Sequence, residues 1–243
     1  MEAQVYRAMA ALEESHWWFC SRRVIVRSLI ERLKLPPDAV IFEPGCGTGG
    51  NFAMLAEFGR VYAMDTDPEA CAFARSKGIA AVERGELPNE IPFGDLKADL
   101  IVMTDVLEHL DHDRESLEAI RLRLKESGRL IATVPAFPWL WSEQDVMLHH
   151  RRRYTAPVLR SLMEISGFKI ELLTYYNFIL FPLIAGVRLA KRLVPSGAVG
   201  NELKAHNPLL NSLLLRMFSS ERYVIDRLSL PIGTSLLVVA TRS

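Results

Sequence analysis

Residues 43–65 hold the groups best suited to chemistry. Glu43-Pro44-Gly45-Cys46-Gly47-Thr48-Gly49-Gly50 follows a short apolar run, Val40 to Phe42, and Asp65 closes a second one, Arg60 to Met64. Glycines at 45, 47 and 49 let the backbone bend tightly and come close to a ligand, which side chains there would block. A carboxylate about twenty positions after the first glycine is placed to hold the two hydroxyls of a ribose. Together these residues point to a nucleoside-containing cofactor.

Glycine spacing alone does not say which nucleoside, because Gly45, Gly47 and Gly50 also satisfy the G-x-G-x-x-G dinucleotide fingerprint. Charge separates the two. A dinucleotide site offers amide N–H groups and a helix N-terminus to a pyrophosphate, and a carboxylate at position 43 would repel it. S-adenosylmethionine carries an ammonium and a sulfonium, and Glu43 would attract both. The sequence therefore favours the methyl donor over NAD, and no Tyr-x-x-x-Lys pair supports an NAD-dependent oxidoreductase.

From about Glu14 to Phe168, and again at its end, the chain resembles the class I S-adenosylmethionine-dependent methyltransferases with an E/D-x-G-C-G-T-G motif. The resemblance implies S-adenosylmethionine as cofactor. It implies an α/β fold, a Rossmann-like doubly wound seven-stranded sheet whose last strand is antiparallel. It places Glu43, Gly45, Cys46, Gly47 and Gly49 at the cofactor loop and Asp65 on the ribose, with Thr66 and Asp67 bordering the adenine. Relatives often carry an aspartate on the adenine amine. Here Glu83-Arg84-Gly85-Glu86-Leu87-Pro88 occupies that stretch, so Glu86 substitutes or Leu87 supplies a backbone N–H. Thr104 and Asp105, in Thr104-Asp105-Val106-Leu107-Glu108-His109-Leu110, would lie beside the methionine portion. Helix-start capping and a loop contact are the plain expectation for Glu108 and His109, and a similar Leu-Glu-His in several O-methylating relatives leaves a role in ordering the active site open.

The elements that must position these groups follow from periodicity. Apolar spacing predicts a helix over Val24–Lys34, helices at Pro68–Lys77 and Arg114–Lys125, and one running from a Thr155 cap to Ser166. Strands are predicted at Ile79–Val82, Asp99–Met103, Arg129–Val134, Lys169–Tyr175 and Ser235–Thr241. Such alternation implies a mostly parallel sheet covered on both faces. The expected organisation is an N-terminal aromatic segment and helix (1–35), a cofactor-binding core (36–176), a helical insertion before the last strand (177–231), and that strand (232–243).

Two segments flank the core with unusual composition. His16-Trp17-Trp18-Phe19 cannot put all three aromatics on one face of a helix, where neighbours diverge by about 100°. The segment either packs over the domain or closes as a lid, with Trp17 or Trp18 near the sulfonium through cation–π attraction. Pro135–Tyr154 combines Phe137, Trp139 and Trp141 with His149-His150-Arg151-Arg152-Arg153 and reads as an acceptor wall. The arginines read as a solvated face or as a receiver for a phosphate or carboxylate. His149 and His150 are the candidate general bases for a hydroxyl acceptor. Neither has a carboxylate at metal-ligand spacing, so no metal is expected.

The acceptor is less legible. The uncharged run Leu172–Val187 is shorter than the roughly twenty residues that cross a bilayer, and its first part belongs to a strand. Followed by Arg188, Lys191 and Arg192, it suits an interfacial helix or a buried one. A small-molecule or lipid-linked acceptor, methylated at oxygen by direct displacement, is the expected substrate class. A peripheral membrane contact and a homodimer are both left open. The chain has 29 Lys+Arg and 29 Asp+Glu among 243 residues, which gives no overall charge to draw nucleic acid. Amino-group methylating relatives carry an Asn-Pro-Pro-Tyr-type segment that is absent here. Three cysteines without metal or disulfide spacing, and an N-terminus without a basic and apolar leader, predict a cytoplasmic protein. A binding protein that keeps the fold without catalysis is the remaining alternative.

Overall fold

The computed structural model of the chain describes residues 3–193, 207–225 and 227–243. Its strands are β1 (Val40–Pro44), β2 (Arg60–Asp65), β3 (Ala81–Arg84), β4 (Ala98–Thr104), β5 (Leu124–Pro135), β6 (Phe168–Tyr176) and β7 (Ser235–Arg242). They form one sheet in the order β3-β2-β1-β4-β5-β7-β6. β1 to β5 pair in parallel, and β7 runs antiparallel to both neighbours, β5 and β6. That antiparallel strand between β5 and β6 sets the sheet apart from the dinucleotide-binding order, in which all strands are parallel.

Successive residues of a strand point to opposite faces, so each central strand feeds two cores. Ile41, Val61, Ala63, Leu100, Val102 and Ile131 pack on one side with Ile25, Val26, Leu29 and Ile30 of α2 (Trp17–Leu33). Helices α3 (Phe52–Ala56) and α4 (Pro68–Ser76) lie on the same side. Phe42, Met64, Ile101, Met103, Leu130 and Ala132 pack on the other side, against α5 (Asp113–Leu122) and α7 (Ala156–Ile165). The order reverses between β1 and β4, where the βα connections diverge and leave a crevice beyond the strand ends.

Some boundaries differ from the periodic reading. α2 begins at Trp17 instead of Val24, because His16 takes the N-cap position and its Nδ1 accepts from Trp18 N. β3 lies two residues beyond the expected Ile79–Val82. Gly78, at φ 64°, turns the chain after α4, Ile79 stays exposed, and pairing starts at Ala81 opposite Tyr62. Thr155 stands at the N-cap of α7, but its side chain makes no capping bond. A further helix, α1 (Ala3–Leu12), precedes α2, and a short one, α6 (Glu143–Met147), follows β5.

The expected insertion holds α8 (Phe181–Leu193) and α9 (Pro208–Ser219), and its residues 194–206 and 226 lie outside the described residues. α9 lies on α2. Trp17 N donates to Asn211 Oδ1 at 2.9 Å, Asn211 Nδ2 donates to Ser15 O at 2.9 Å, and Ser21 Oγ donates to Leu215 O at 3.2 Å. Phe218 sits against both Trp17 and Trp18, with ring centroids 6.0 and 5.4 Å away. Two adjacent tryptophans can thus both be half-buried, because the insertion extends the core that α2 faces, with Phe218 in the same cluster as Ile25 and Leu29.

Glu221 anchors the start of the insertion. Its buried carboxylate accepts from Asn177 N at 2.7 Å and Ile179 N at 3.0 Å, where Asn177 adopts a left-handed φ of 57°. Glu221→Ala leaves both donors without that acceptor. Urea unfolding is expected to show a loss of about 1–3 kcal/mol, and an unchanged midpoint would contradict the anchoring role.

Candidate functional site

A cavity of about 610 Å³ opens at the strand ends beside the switch point, within the range of small-molecule sites. The turn after β1 forms its floor. Gly45 N and Cys46 N donate to Met64 O, at 2.8 and 3.0 Å, and Gly47 N donates to Asp65 Oδ2 at 2.8 Å. The other oxygen of Asp65, Oδ1, accepts from Asp67 N at 3.1 Å, so one carboxylate ties the tip of β2 to the turn and to the start of the segment leading into α4. A Cβ on Gly45 would lie 2.7 Å from Val106, whereas one on Gly47, at φ 54°, would meet no protein atom within 4 Å. The space beyond Gly47 belongs to the cavity.

Most of the sequence-derived residues meet here. Gly45, Cys46, Gly47, Asp65, Thr66, Leu87, Thr104, Asp105, Trp18, His149 and His150 all line the cavity. Glu43, Gly49 and Glu86 do not. Glu86 is exposed and bonds its backbone to Glu90, so Leu87 is the one of that pair at the wall. Asp67 spends its carboxylate on the N-cap of α4, accepting from Glu69 N and Ala70 N. Cys46 is buried, and burial pushes its thiol far up, which suits a small turn residue and not a nucleophile.

Glu43 requires a correction in role. It is 1% exposed, and its Oε1 accepts from Asn51 Nδ2 at 2.6 Å. Asn51 Nδ2 also reaches Thr104 Oγ1 at 3.1 Å, and both Asn51 and Thr104 face the cavity. Glu43 thus acts one layer behind the wall, as a brace between β1 and the end of β4. Burial raises its pKa to about 7, against the lowering effects of Asn51 and Arg22. The acidic groups at the wall itself are Glu13, Asp65, Asp105, Glu108 and Asp145.

Several lining groups carried no readable signal in the sequence. Arg22 of α2 is paired with Asp105 Oδ2, while its buried Nε has no hydrogen-bond partner. Asp105 itself adopts a left-handed φ of 57°. Its N donates to Thr133 O, and its Oδ1 accepts from Thr133 Oγ1 at 3.0 Å. Tyr6, Met9 and Glu13 bring the N-terminal segment over the loop, and Thr48 Oγ1 donates to Glu13 Oε2 at 2.5 Å. The pairing of neighbours in Arg22-Arg23 showed only charge; which arginine turns inward depends on where α2 lies.

The expected acceptor wall divides. Phe137 stacks on Tyr175 at 4.9 Å and Trp139 meets Phe181 edge-on, so these aromatics brace the start of α8 and do not line the cavity. The arginine run is also divided among internal partners. Arg151 reaches Asp111 at 3.3 Å, Arg152 reaches Asp113 at 2.8 Å, and buried Arg153 grips both oxygens of Asp145 at 2.7 and 3.0 Å. Asp145 also meets His150 Nδ1 at 2.9 Å. Burial alone would raise the pKa of Asp145, and the bonds from His150 and Arg153 outweigh it and hold the carboxylate well below its usual range. His149, by contrast, is exposed, with a left-handed φ of 57°.

Glu108 departs from the capping role. It is fully buried, and neither carboxyl oxygen has a hydrogen-bond partner. Burial, then the nearby Asp105 charge, raises its pKa well above the usual carboxylate range. His109 is lowered to about 4 by burial and by His150, whose ring lies 4.8 Å away edge-on.

Residues 42–132 match the family model of a methyltransferase domain. The chain is similar to S-adenosylmethionine-dependent methyltransferases, and the cofactor these relatives imply is S-adenosylmethionine. A probable S-adenosylmethionine-dependent methyltransferase of Mycolicibacterium smegmatis is 28% identical over 170 residues, 68% of this chain and 64% of that one. One from Mycobacterium tuberculosis is 30% identical over 166 residues, 67% of this chain and 59% of that one. The chain thus spans about three-fifths of the length of these curated relatives. Among solved structures, a chain from the complex of the Haloferax volcanii Trm112 methyltransferase activator with a methyltransferase superposes at a TM-score of 0.63. It is 16% identical, and the match covers 99% of this chain and 94% of that one. A TehB-like S-adenosylmethionine-dependent methyltransferase from Corynebacterium glutamicum gives 0.54 at 18% identity, covering 89% and 87%. At such identities the likeness is one of fold, and it agrees with the seven-stranded sheet seen here.

The buried Glu43 gives a testable pH dependence. A carboxyl whose folded pKa (about 7) exceeds its unfolded value (4.5) binds more protons folded than unfolded between the two. Its contribution therefore favours folding below about pH 4.5 and is lost as pH rises towards 7. Glu43→Gln is expected to remove that decline, so its stability relative to the parent should improve by up to about 3 kcal/mol between pH 5 and 8. Parallel denaturant titrations at the two pH values measure it; an unchanged difference would show that Glu43 does not titrate in this way.

Proposed function

We propose that the protein is an S-adenosylmethionine-dependent methyltransferase that acts on a small-molecule or lipid-linked acceptor at oxygen. The observation that carries this reading is a single cavity joining the glycine turn and Asp65 to the paired His150 and Asp145 on the opposite wall. When bound, S-adenosylmethionine supplies a methyl group on a sulfonium, whose bonding pair stays with sulfur as the methyl leaves.

The residues present fit that ligand. Gly47 leaves open space at the floor, Asp65 offers a carboxylate for ribose hydroxyls, and Leu87 and Thr66 border the base. Arg22 and Asp105 offer opposite charges side by side, which suits the carboxylate and ammonium of the methionine end. The unpartnered Nε of Arg22 is a donor in need of such an acceptor. Trp18 and the apolar side chains of Leu180, Ile184 and Leu214 line the cavity on the side of α2, α8 and α9.

His150 is the catalytic histidine of the adjacent pair on this reading. Asp145 fixes its ring, and its other nitrogen lies beside Glu108, while His149, at the rim of the same cavity, is exposed. The apolar acceptor class rests on α8. Leu183 and Val187 line the cavity yet remain 60% and 46% exposed, so an apolar surface leads from solvent to the site. Among the described residues no helix is long and apolar enough to cross a membrane.

Asp65→Ala is expected to weaken S-adenosylhomocysteine binding by roughly 1.5–3 kcal/mol, through lost hydrogen bonds. Unchanged affinity in calorimetry would remove the ribose assignment. Gly47→Val tests the floor by sterics. Its side chain would enter the cavity from a left-handed backbone position, so nucleoside binding should be abolished while circular dichroism shows a folded protein. Binding at the parent affinity would place the ligand elsewhere.

A further inference from the structure

We propose that Glu108, His109 and His150 bind one divalent first-row transition-metal ion at the acceptor end of the cavity. Each offers a ligand atom, and the three atoms lie within 4.8 Å of one another. All three residues line the cavity. The inference adds a metal to the function proposed above. Binding of the ion stands on these side chains alone, and its catalytic role rests on the methyl-transfer reading.

Glu108 is the decisive member. Its side chain is fully buried, it faces the cavity, and both carboxyl oxygens lack any hydrogen bond. A buried carboxyl left this way is costly unless something occupies the space before it. His150 Nε2 lies 4.0 Å from Oε1, beyond hydrogen-bond reach. Metal bonds of about 2.0–2.2 Å put neighbouring ligand atoms roughly 3–4 Å apart. The present spacing therefore needs only a small contraction around an ion.

The surroundings support ligation by the histidines. His150 Nδ1 meets the Asp145 carboxylate at 2.9 Å, which directs Nε2 towards Glu108. His109 is hydrogen-bonded to the backbone of His149. Metal-bound histidines characteristically have a second partner of this kind, a carboxylate or a backbone group, on the nitrogen that does not ligate. The two segments are locked in register, since Arg151 N donates to Glu108 O at 2.7 Å and Tyr154 Oη bonds to Asp113 at 2.9 Å. Two imidazoles and one carboxylate favour zinc, manganese, iron or cobalt over the oxygen-loving magnesium and calcium.

Three protein ligands leave room for an acceptor oxygen. The ion would hold an acceptor hydroxyl and lower its pKa, so that the proton is released to solvent and an oxygen lone pair is directed at the methyl carbon. His150 then acts as a ligand, and a free imidazole base is not needed. This departs from the expectation of no metal, because the carboxylate partner comes from about forty residues earlier in the chain.

The test is calorimetric titration of the chelator-treated full chain with zinc, manganese and magnesium chlorides, each alone. One zinc or manganese ion per chain is expected, with weaker magnesium binding. Glu108→Gln and His150→Gln should each lower affinity by at least tenfold, and Asp145→Asn by about 10–100-fold through the lost orientation of His150. His112→Ala, at an exposed position, controls for adventitious surface histidine binding and should match the parent. Absence of binding in the parent, or parent affinity in Glu108→Gln, overturns the site. Should a variant fail to fold, cobalt-loaded parent protein gives a second reading, in which nitrogen-ligand visible absorption supports the site and an aqueous-ion spectrum overturns it. S-adenosylhomocysteine is titrated separately into the same samples. Metal binding without nucleoside binding would sink the methyl-transfer reading alone, and the reverse result would sink the metal alone.

Discussion

The bond from Gly47 N–H to the Asp65 carboxylate is the constraint on which the floor of the cavity depends. It closes the glycine turn of β1 on the tip of β2, and Gly45 N and Cys46 N reinforce it by donating to Met64 O. The turn can sit so low only because Gly45 presents hydrogen where a Cβ would press on Val106. One carboxylate thereby shapes the backbone floor and presents itself to the space above. Behind it, Glu43, Asn51 and Thr104 link β1, the start of α3 and the end of β4 into one buried polar strut. The switch point is thus a joint held by hydrogen bonds, with the cavity as the gap it leaves.

The roof is built from distant parts of the chain. α2 supplies Trp17, Trp18 and Arg22; α9, nearly two hundred residues later, covers the tryptophans and is tied to them through Asn211. Arg22 projects from beneath that roof to Asp105. A shift of α9 on α2 would therefore be felt at this charged pair on the cavity wall. The exposed apolar side chains of α8 lie on the approach to the same place.

Much of the fold was legible because it is local. Alternating apolar runs located the strands to within two residues, except for the longer β5, and the glycine turn and Asp65, picked out by spacing, meet at the floor of the cavity. Glu86 and Asp67 failed because sequence order cannot show that one side chain faces solvent and the other caps α4. Glu43 failed in role for the same reason: its charge is real in the sequence, but its direction is set by Asn51. The arginine run looked like one patch, although its members point to Asp111, Asp113 and Asp145 in turn. Glu108 and His150 lie in separate segments, and only the pairing of those segments through Arg151 reveals their meeting.

The central claim is that this cavity holds a sulfur nucleoside. Calorimetric titration of the purified chain with S-adenosylhomocysteine and, separately, with NAD tests it most directly. The account predicts one molecule of S-adenosylhomocysteine bound per chain and no heat from NAD. Binding of NAD alone, or of neither, would contradict it.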